Sequence, residues 1–332
     1  YKRITTSERP VCCLLSGGLD SSIVCAISSE YYHSINKTLE TFSIGMKDSE
    51  DYYYAKKVSD FIGSKHTHVE YDEQTFIDSI PEVIKDIESF DTTTVRASVG
   101  NWLIGKYIKE NTDFKVILNG DGADELMGGY LYFNAAPNNE DFDQECRRLL
   151  KNIHYFDVLR SDRCISSHGL ESRTPFLDKN LTQYYLNIPM NTSGKRSKCE
   201  KEYIRNVISE RNILPYEIVW RQKEAFSDGV SGLKRPWFQI IQDNLKEYDN
   251  KHNNLTNEQA YYFDVFNSLY PDCKHLIPYY WMPMFIDSND PSARTLNLYQ
   301  RTIFYKYFYF LKDLVIGVVK TLYRKYFMRF FE

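Results

Sequence analysis

Leu14-Leu15-Ser16-Gly17-Gly18-Leu19-Asp20-Ser21-Ser22 sets a glycine-rich turn between two segments of different periodicity. Residues 11–15 form a short apolar run that reads as a buried strand, whereas 21–30 carry Ile23, Val24, Ala26 and Ile27 at roughly helical spacing. The turn therefore leads from strand to helix. Gly17 and Gly18 lack a Cβ, so the backbone there can take positive φ and bring its amides close to a ligand. Ser16, Ser21 and Ser22 add hydroxyl donors, and the unpaired amides and dipole of a helix N-terminus favour an anion, which makes this a phosphate site. Asp20 beside a phosphate is repulsive unless a divalent cation lies between them, so it reads as a Mg²⁺ ligand. The alternative is an ordinary Gly-Gly turn with Asp20 capping the helix. No lysine follows the second glycine, which sets the loop apart from nucleotide loops ending in Gly-Lys-Ser/Thr.

Outward from this turn, strand and helix patterns alternate. A second strand is expected over 38–46 (Leu39, Thr41, Phe42, Ile44), then a helix with Ala55, Val58, Phe61 and Ile62 on one face, then a third strand over 66–71. A helix over 97–108 and a strand over 116–118 continue the series. The fold class is α/β, a doubly wound, mostly parallel sheet whose ligands bind at the carboxyl ends of the strands. The sheet core is expected over about 10–140. From about residue 141 strand signals fade, and helical segments separated by Pro and Gly run to about 300, reading as a largely helical half packed over the sheet.

Composition narrows the class. With 332 residues, 42% hydrophobic and 26% charged, the chain can bury a large core, and a net charge of only −4 offers no bulk attraction to nucleic acid. The seven cysteines show no metal-ligand spacing and no disulfide framework, which with the absence of an apolar leader at the start suggests a reducing, cytoplasmic setting. Cys12 and Cys13 read as small core hydrophobes. Residues 301–332 differ from the rest: aromatic and aliphatic side chains alternate with Lys306, Lys312, Lys320, Arg324, Lys325 and Arg329. Such a basic helix is too interrupted by charge to span a bilayer; it could lie on a membrane surface, pair with a partner, or dock on its own domain.

A second glycine-rich turn follows the fourth strand, as Asn119-Gly120-Asp121-Gly122-Ala123-Asp124-Glu125. So many acids among glycines call for a cation or a positively charged partner, and Asp124 reads as the second Mg²⁺ ligand. Between the loops, Thr92-Thr93-Thr94-Val95-Arg96 places three hydroxyls before an arginine whose fork suits a carboxylate. Further on, 169–178 and 220–229 pack charge among apolar residues, either for a ligand or as structural ion-pair networks.

The first loop resembles the Ser-Gly-Gly-x-Asp-Ser loop of the ATP pyrophosphatase (PP-loop) family, whose fold is adenine nucleotide alpha hydrolase-like. Together and in this order, the segments resemble the synthetase domain of glutamine-hydrolysing asparagine synthetases, over 1–300. That resemblance implies that ATP adenylates the side-chain carboxylate of L-aspartate with loss of pyrophosphate, and that ammonia then displaces AMP to form L-asparagine. It also implies roles for individual residues. Ser16, Gly17, Gly18, Asp20, Ser21 and Ser22 would hold pyrophosphate and Mg²⁺, with Asp124 completing the metal site; Leu14, Leu15, Ile44, Asn119 and Gly120 would surround adenosine. Thr93, Thr94 and Arg96 would fix the aspartate, and Lys223 would stabilise charge on the phosphate.

Two departures from the family stand out. Asp121 replaces a Glu placed to take a proton from ammonia and is one methylene shorter. The N-terminal glutaminase domain, with its cysteine nucleophile, is absent from this chain, so a longer parent chain is expected, or a glutaminase acting in trans, or free ammonium. A homodimer is compatible with the resemblance. The rival readings are a cyclising relative such as a β-lactam synthetase and a catalytically silent nucleotide-binding module.

Overall fold

Alternate side chains of the first strand point to opposite faces, and the molecule is built on that alternation. In the computed structural model, which describes residues 1–299 apart from Lys198, Leu233 and Lys234, five strands pair in parallel: β1 (Val11–Leu14), β2 (Glu40–Gly45), β3 (Lys65–Glu70), β4 (Val116–Leu118) and β5 (Glu171–Arg173). Their order among the described residues is β3-β2-β1-β4-β5. Cys12 faces one core with Phe42, Ile44 and Ile117, backed by Val95, Val99 and Leu103 of the helix Thr92–Asn111. Cys13 faces the other with Val116 and Leu118, backed by Ile23 and Val24 of the helix Leu19–Ser34 and by Ala55 and Val58 of the helix Glu50–Ile62. Both cysteines are fully buried and free, as core hydrophobes are.

The chain leaves β1 toward β2 and β3, and returns to place β4 on the opposite side. The order therefore reverses between β1 and β4, and the carboxyl ends flanking such a reversal enclose a crevice. Register makes the crevice narrow: Cys13 lies opposite Leu118, so the turns that follow β1 and β4 begin at nearly the same level.

The structure corrects one expectation. A fifth strand, Glu171–Arg173, lies inside the segment expected to be helical and pairs with β4 through Val116–Glu171 and Leu118–Arg173. Three residues at a sheet edge, two of them charged, carry neither apolar alternation nor β-branched side chains, so no periodicity marks them. Elsewhere from 139 onward helices dominate, among them Asn139–Asn152, Asp157–Ser166, Glu202–Arg211 and Asn257–Leu269. A third core of Tyr132, Phe133, Phe142 and Trp281 joins this part of the chain to the turn after β4. The chain divides into a unit Tyr1–Ser292 and a unit beginning at Ala293. The basic-aromatic tail 301–332 lies outside the described residues, and no helix among those described is long and apolar enough to cross a membrane.

Candidate active site

The turn after β1 is closed by its own hydroxyls. Ser16 Oγ and Ser21 Oγ lie 3.1 Å apart, the Ser16 amide donates to Ser21 Oγ at 3.3 Å, and the Gly18 amide reaches Ser16 Oγ at 3.4 Å. Gly17 takes φ +74°, and a Cβ there would come within 2.4 Å of the Ala55 amide nitrogen, so the helix Glu50–Ile62 leaves room only for glycine. Gly18 instead keeps φ −74° as the N-cap of Leu19–Ser34, and no side chain caps that helix. Asp20 therefore does not serve as its cap.

The turn after β4 comes close enough to touch the first. A Cβ on Gly120 would lie 2.6 Å from the Ser21 amide nitrogen and 2.9 Å from the Asp20 Cβ. Asn119, buried, is oriented by Ser161 Oγ at 2.7 Å and Ser172 Oγ at 3.1 Å. One cleft is lined from both turns: Leu14, Leu15, Ser16, Gly18, Asp20 and Ser21 from the first, and Asn119, Gly120, Asp121 and Asp124 from the second, with Phe42 and Ile44 beside them. Ser22 is buried in the helix rather than among the lining residues.

At the contact between the turns, Asp20 and Asp124 converge on one point, and the ammonium of Lys201 stands there. Lys201 Nζ lies 2.8 and 2.7 Å from the two Asp20 oxygens and 2.6 Å from Asp124 Oδ1. Lys223 Nζ lies 2.9 Å from Asp124 Oδ2. Burial opposes charge on Asp124, but the two ammonium groups outweigh it and hold its carboxyl well below the usual carboxylate range. For Asp20, burial is the stronger influence and its carboxyl moves up, with Lys201 opposing and Asp124 adding to the rise. Lys223 is likewise disfavoured by burial, yet Asp124 and Asp20 hold it protonated far above neutrality.

The positive partner that the acidic turn demands is thus supplied by two lysines, only one of which the sequence reading named. Lys201 has a side chain 1% exposed and a backbone φ of +58° at the N-cap of Glu202–Arg211. Two hard carboxylates converging on one point also fit a divalent cation, which would complete its shell from phosphate and water. No group of three or more His, Cys, Asp or Glu residues that could hold a metal occurs among the described residues.

Lys223 is held by its neighbours. Its amide donates to Glu200 Oε1 at 3.0 Å; that carboxylate also takes Arg205 Nη2 at 2.9 Å, and Arg205 Nη1 donates to the Val219 and Arg221 carbonyls. Arg221 in turn pairs with the buried Asp51 at 3.1 Å and stacks on Tyr54, its guanidinium 3.8 Å from the ring centre. Burial, offset by Arg221, leaves the Asp51 carboxyl at about 6.

A second group of charges sits at the other part of the cleft. Arg160 lies 3.0 Å from Asp157 and 3.6 Å from Asp121. The Tyr130 hydroxyl donates to Glu125 and lies 3.3 Å from Asp157. Burial, then the negative charge of Asp157, pushes Glu125 well above the carboxylate range.

The Thr-Thr-Thr-Val-Arg segment divides. Thr93 lines the cleft, and its hydroxyl is buried without a partner among the described residues. Thr94 donates through both amide and hydroxyl to Asp91, the N-cap of Thr92–Asn111, at 2.9 and 2.7 Å. Arg96 is committed elsewhere: its guanidinium pairs with Glu258 at 2.6 and 2.7 Å and with Asp290 at 2.8 Å through two nitrogens, and it is not among the lining residues. In this structure Thr94 and Arg96 are therefore not brought to the cleft; Arg96 clamps the helix Thr92–Asn111 to Asn257–Leu269 and to the loop at Asp290. Its forked guanidinium is satisfied by those two carboxylates, and its position four residues along a buried helix carried no sign of that.

Sequence comparison identifies the family. The family model described as asparagine synthase matches residues 1–143 and 134–276. The chain is 45% identical over 315 residues to an asparagine synthetase [glutamine-hydrolyzing] of Rattus norvegicus, covering 91% of this chain and 56% of that protein. It is 43% identical over 316 residues to the Homo sapiens protein of that name, again 91% against 56%, and 43% identical over 314 residues to that of Gallus gallus, 90% against 55%. The chain thus spans just over half the length of these relatives. Among solved structures, an NAD+ synthetase from Burkholderia Pseudomallei aligns with 64% of this chain and 86% of its own at 14% identity and a TM-score of 0.29, too loose a likeness to carry an argument.

Proposed function

Because the chain belongs to the asparagine synthase family, we propose that it converts L-aspartate to L-asparagine at the expense of ATP, with AMP and pyrophosphate as the other products. The observation that carries the reading is the set Asp20, Asp124, Lys201 and Lys223, gathered where the turns after β1 and β4 meet.

In this reading the triphosphate tail lies on the amides of Ser16 to Ser21, and the adenosine lies against Leu14, Leu15, Ile44, Asn119 and Gly120. A side-chain oxygen of aspartate attacks the α-phosphorus, an O–P bond forms to give β-aspartyl-AMP, and the bond to the β-phosphate breaks. Lys223, fixed through Glu200, meets the charge that builds on the phosphate oxygens; Lys201 offsets Asp20 and Asp124 so that a polyanion is not repelled. Mg²⁺ held by Asp20 and Asp124 would take the place of the Lys201 ammonium between them and would supply neutralisation of the phosphates. Ammonia then attacks the acyl carbon, the bond to AMP breaks, and the nitrogen loses one proton. In this reading Asp121, which lines the cleft 3.6 Å from Arg160, takes it. Nitrogen comes from glutamine through a glutaminase domain, in the same chain or in trans, or from free ammonium. Arg96 contributes by holding Thr93 in place rather than by gripping the substrate.

The test is direct: the full chain with ATP, Mg²⁺, L-aspartate and ammonium yields asparagine, AMP and pyrophosphate in equal amounts. Binding of nucleotide without pyrophosphate release from any amino acid would instead favour a silent nucleotide-binding module.

A further inference from the structure

Trp281 is 6% exposed and lines the cleft, and its Nε1–H has no hydrogen-bond partner among the described residues. An indole nitrogen can only donate, and a buried donor without an acceptor is unfavourable, so the position selects for a ligand that brings one. The backbone is built to hold it there. The Trp281 amide donates to Asp91 Oδ1 at 2.7 Å, while Asp91 Oδ2 takes the amide and hydroxyl of Thr94. One buried carboxylate thereby ties Trp281 to the first turn of the helix that carries Thr93, whose own buried hydroxyl is likewise unpartnered among the described residues. The indole packs edge-on against Tyr130 at 5.7 Å between ring centres and against Tyr132 at 6.0 Å, so its orientation is fixed by packing rather than by a polar contact of its own.

Two neutral donors in a desolvated corner fit a carboxylate. The phosphate end of the cleft is already taken by Asp20, Asp124, Lys201 and Lys223, and the reacting carboxylate must lie there. A substrate with two carboxylates leaves the other one free. Asp121 and Asp157, which share the single guanidinium of Arg160 near the Tyr130 ring that packs on the indole, leave an excess of negative charge that suits an ammonium group on the same molecule.

We propose that Trp281 is a specificity-determining residue for the amino-acid substrate, its Nε1–H donating to the α-carboxylate alongside the Thr93 hydroxyl. The inference rests on the ligase reading above and names the group that recognises the substrate's non-reacting end.

Trp281→Phe keeps one aromatic ring beside Tyr130 and Tyr132 and removes the donor together with part of the indole's volume. In the full chain, assayed with ATP, ammonium and L-aspartate, the variant is expected to raise KM for aspartate on the order of tenfold or more, with KM for ATP unchanged. An unaltered KM for aspartate overturns the proposal. A parallel rise in both KM values also overturns it by showing that the ring merely supports the cleft. If the unmodified chain forms no asparagine at all, the ligase reading fails and this inference falls with it; a fully active parent with an indifferent variant removes the inference alone.

Discussion

Lys201 takes a backbone conformation that non-glycine residues avoid, at a cost of about 1–2 kcal/mol, and in return its ammonium sits between two buried carboxylates. Lys201→Met would leave Asp20 and Asp124 facing each other with Lys223 as the nearest cation, and we expect a loss of roughly 3 kcal/mol in urea unfolding. Lys223→Ala leaves Lys201 on Asp124, so the fold is expected to survive while pyrophosphate release falls at least about a hundredfold; release near the parent rate would remove Lys223 from the mechanism. Arg96→Met strands the Glu258 and Asp290 carboxylates, one of them fully enclosed, and should lower stability by about 3–5 kcal/mol in the same titration. At this scale the sequence was legible where chemistry and local shape coincide. Asp20 and Asp124 announce themselves as acids inside glycine-rich turns. Lys201 does not: it is one of several lysines in Lys195-Arg196-Ser197-Lys198-Cys199-Glu200-Lys201, and nothing local separates it from Lys195, which is also buried but donates to the Tyr185 and Ile188 carbonyls instead. Arg96 was legible as a carboxylate-gripping residue, but which carboxylates it meets depends on Glu258 and Asp290, more than 160 positions away.

Elements act through register. The contact between the turns exists because β1 and β4 are aligned at Cys13 and Leu118, and Gly120 permits it by lacking a Cβ. Gly120→Ala should therefore spread the two turns, lowering asparagine formation more than it lowers stability, a split that kinetics and a melting curve together would reveal. The outer strands carry a separate device. His66 on β3 bridges Thr41 and Ser43 of β2, at 3.0 and 2.9 Å, and Ser43 also meets His68 at 2.8 Å. Burial, with neighbouring His68 and Lys56, lowers His66 from an ordinary 6.5 to about 4. The unfolded chain then binds the proton more readily than the folded one, so the stability from neutral His66 is complete above about pH 6.5 and declines as pH falls toward 4. Unfolding free energies for the parent and His66→Gln should differ in slope across that window, by an integrated amount on the order of 1–2 kcal/mol after solvent screening; identical slopes would show that His66 titrates normally. The strands of the first half were legible from apolar runs bounded by turns. β5 was not, since Glu171-Ser172-Arg173 becomes a strand only because β4 offers it an edge.

For the whole molecule, the sheet order opens a crevice at the reversal between β1 and β4, and the proposed chemistry belongs there. The helical half contributes to the cleft what the sheet lacks, namely Lys201, Lys223 and Trp281, so the cleft's composition depends on long-range packing rather than on either turn alone. Ligand linkage should be visible at this scale too, because a nucleotide that binds only the folded chain raises its melting temperature with concentration. The central claim is that an aspartate oxygen attacks the α-phosphorus of ATP. It is tested most directly by supplying L-aspartate labelled with ¹⁸O in its side-chain carboxylate and reading the AMP by mass spectrometry. One ¹⁸O atom in AMP and none in pyrophosphate is the predicted result; AMP free of label, or label in a phosphate released from the γ-position, would contradict it.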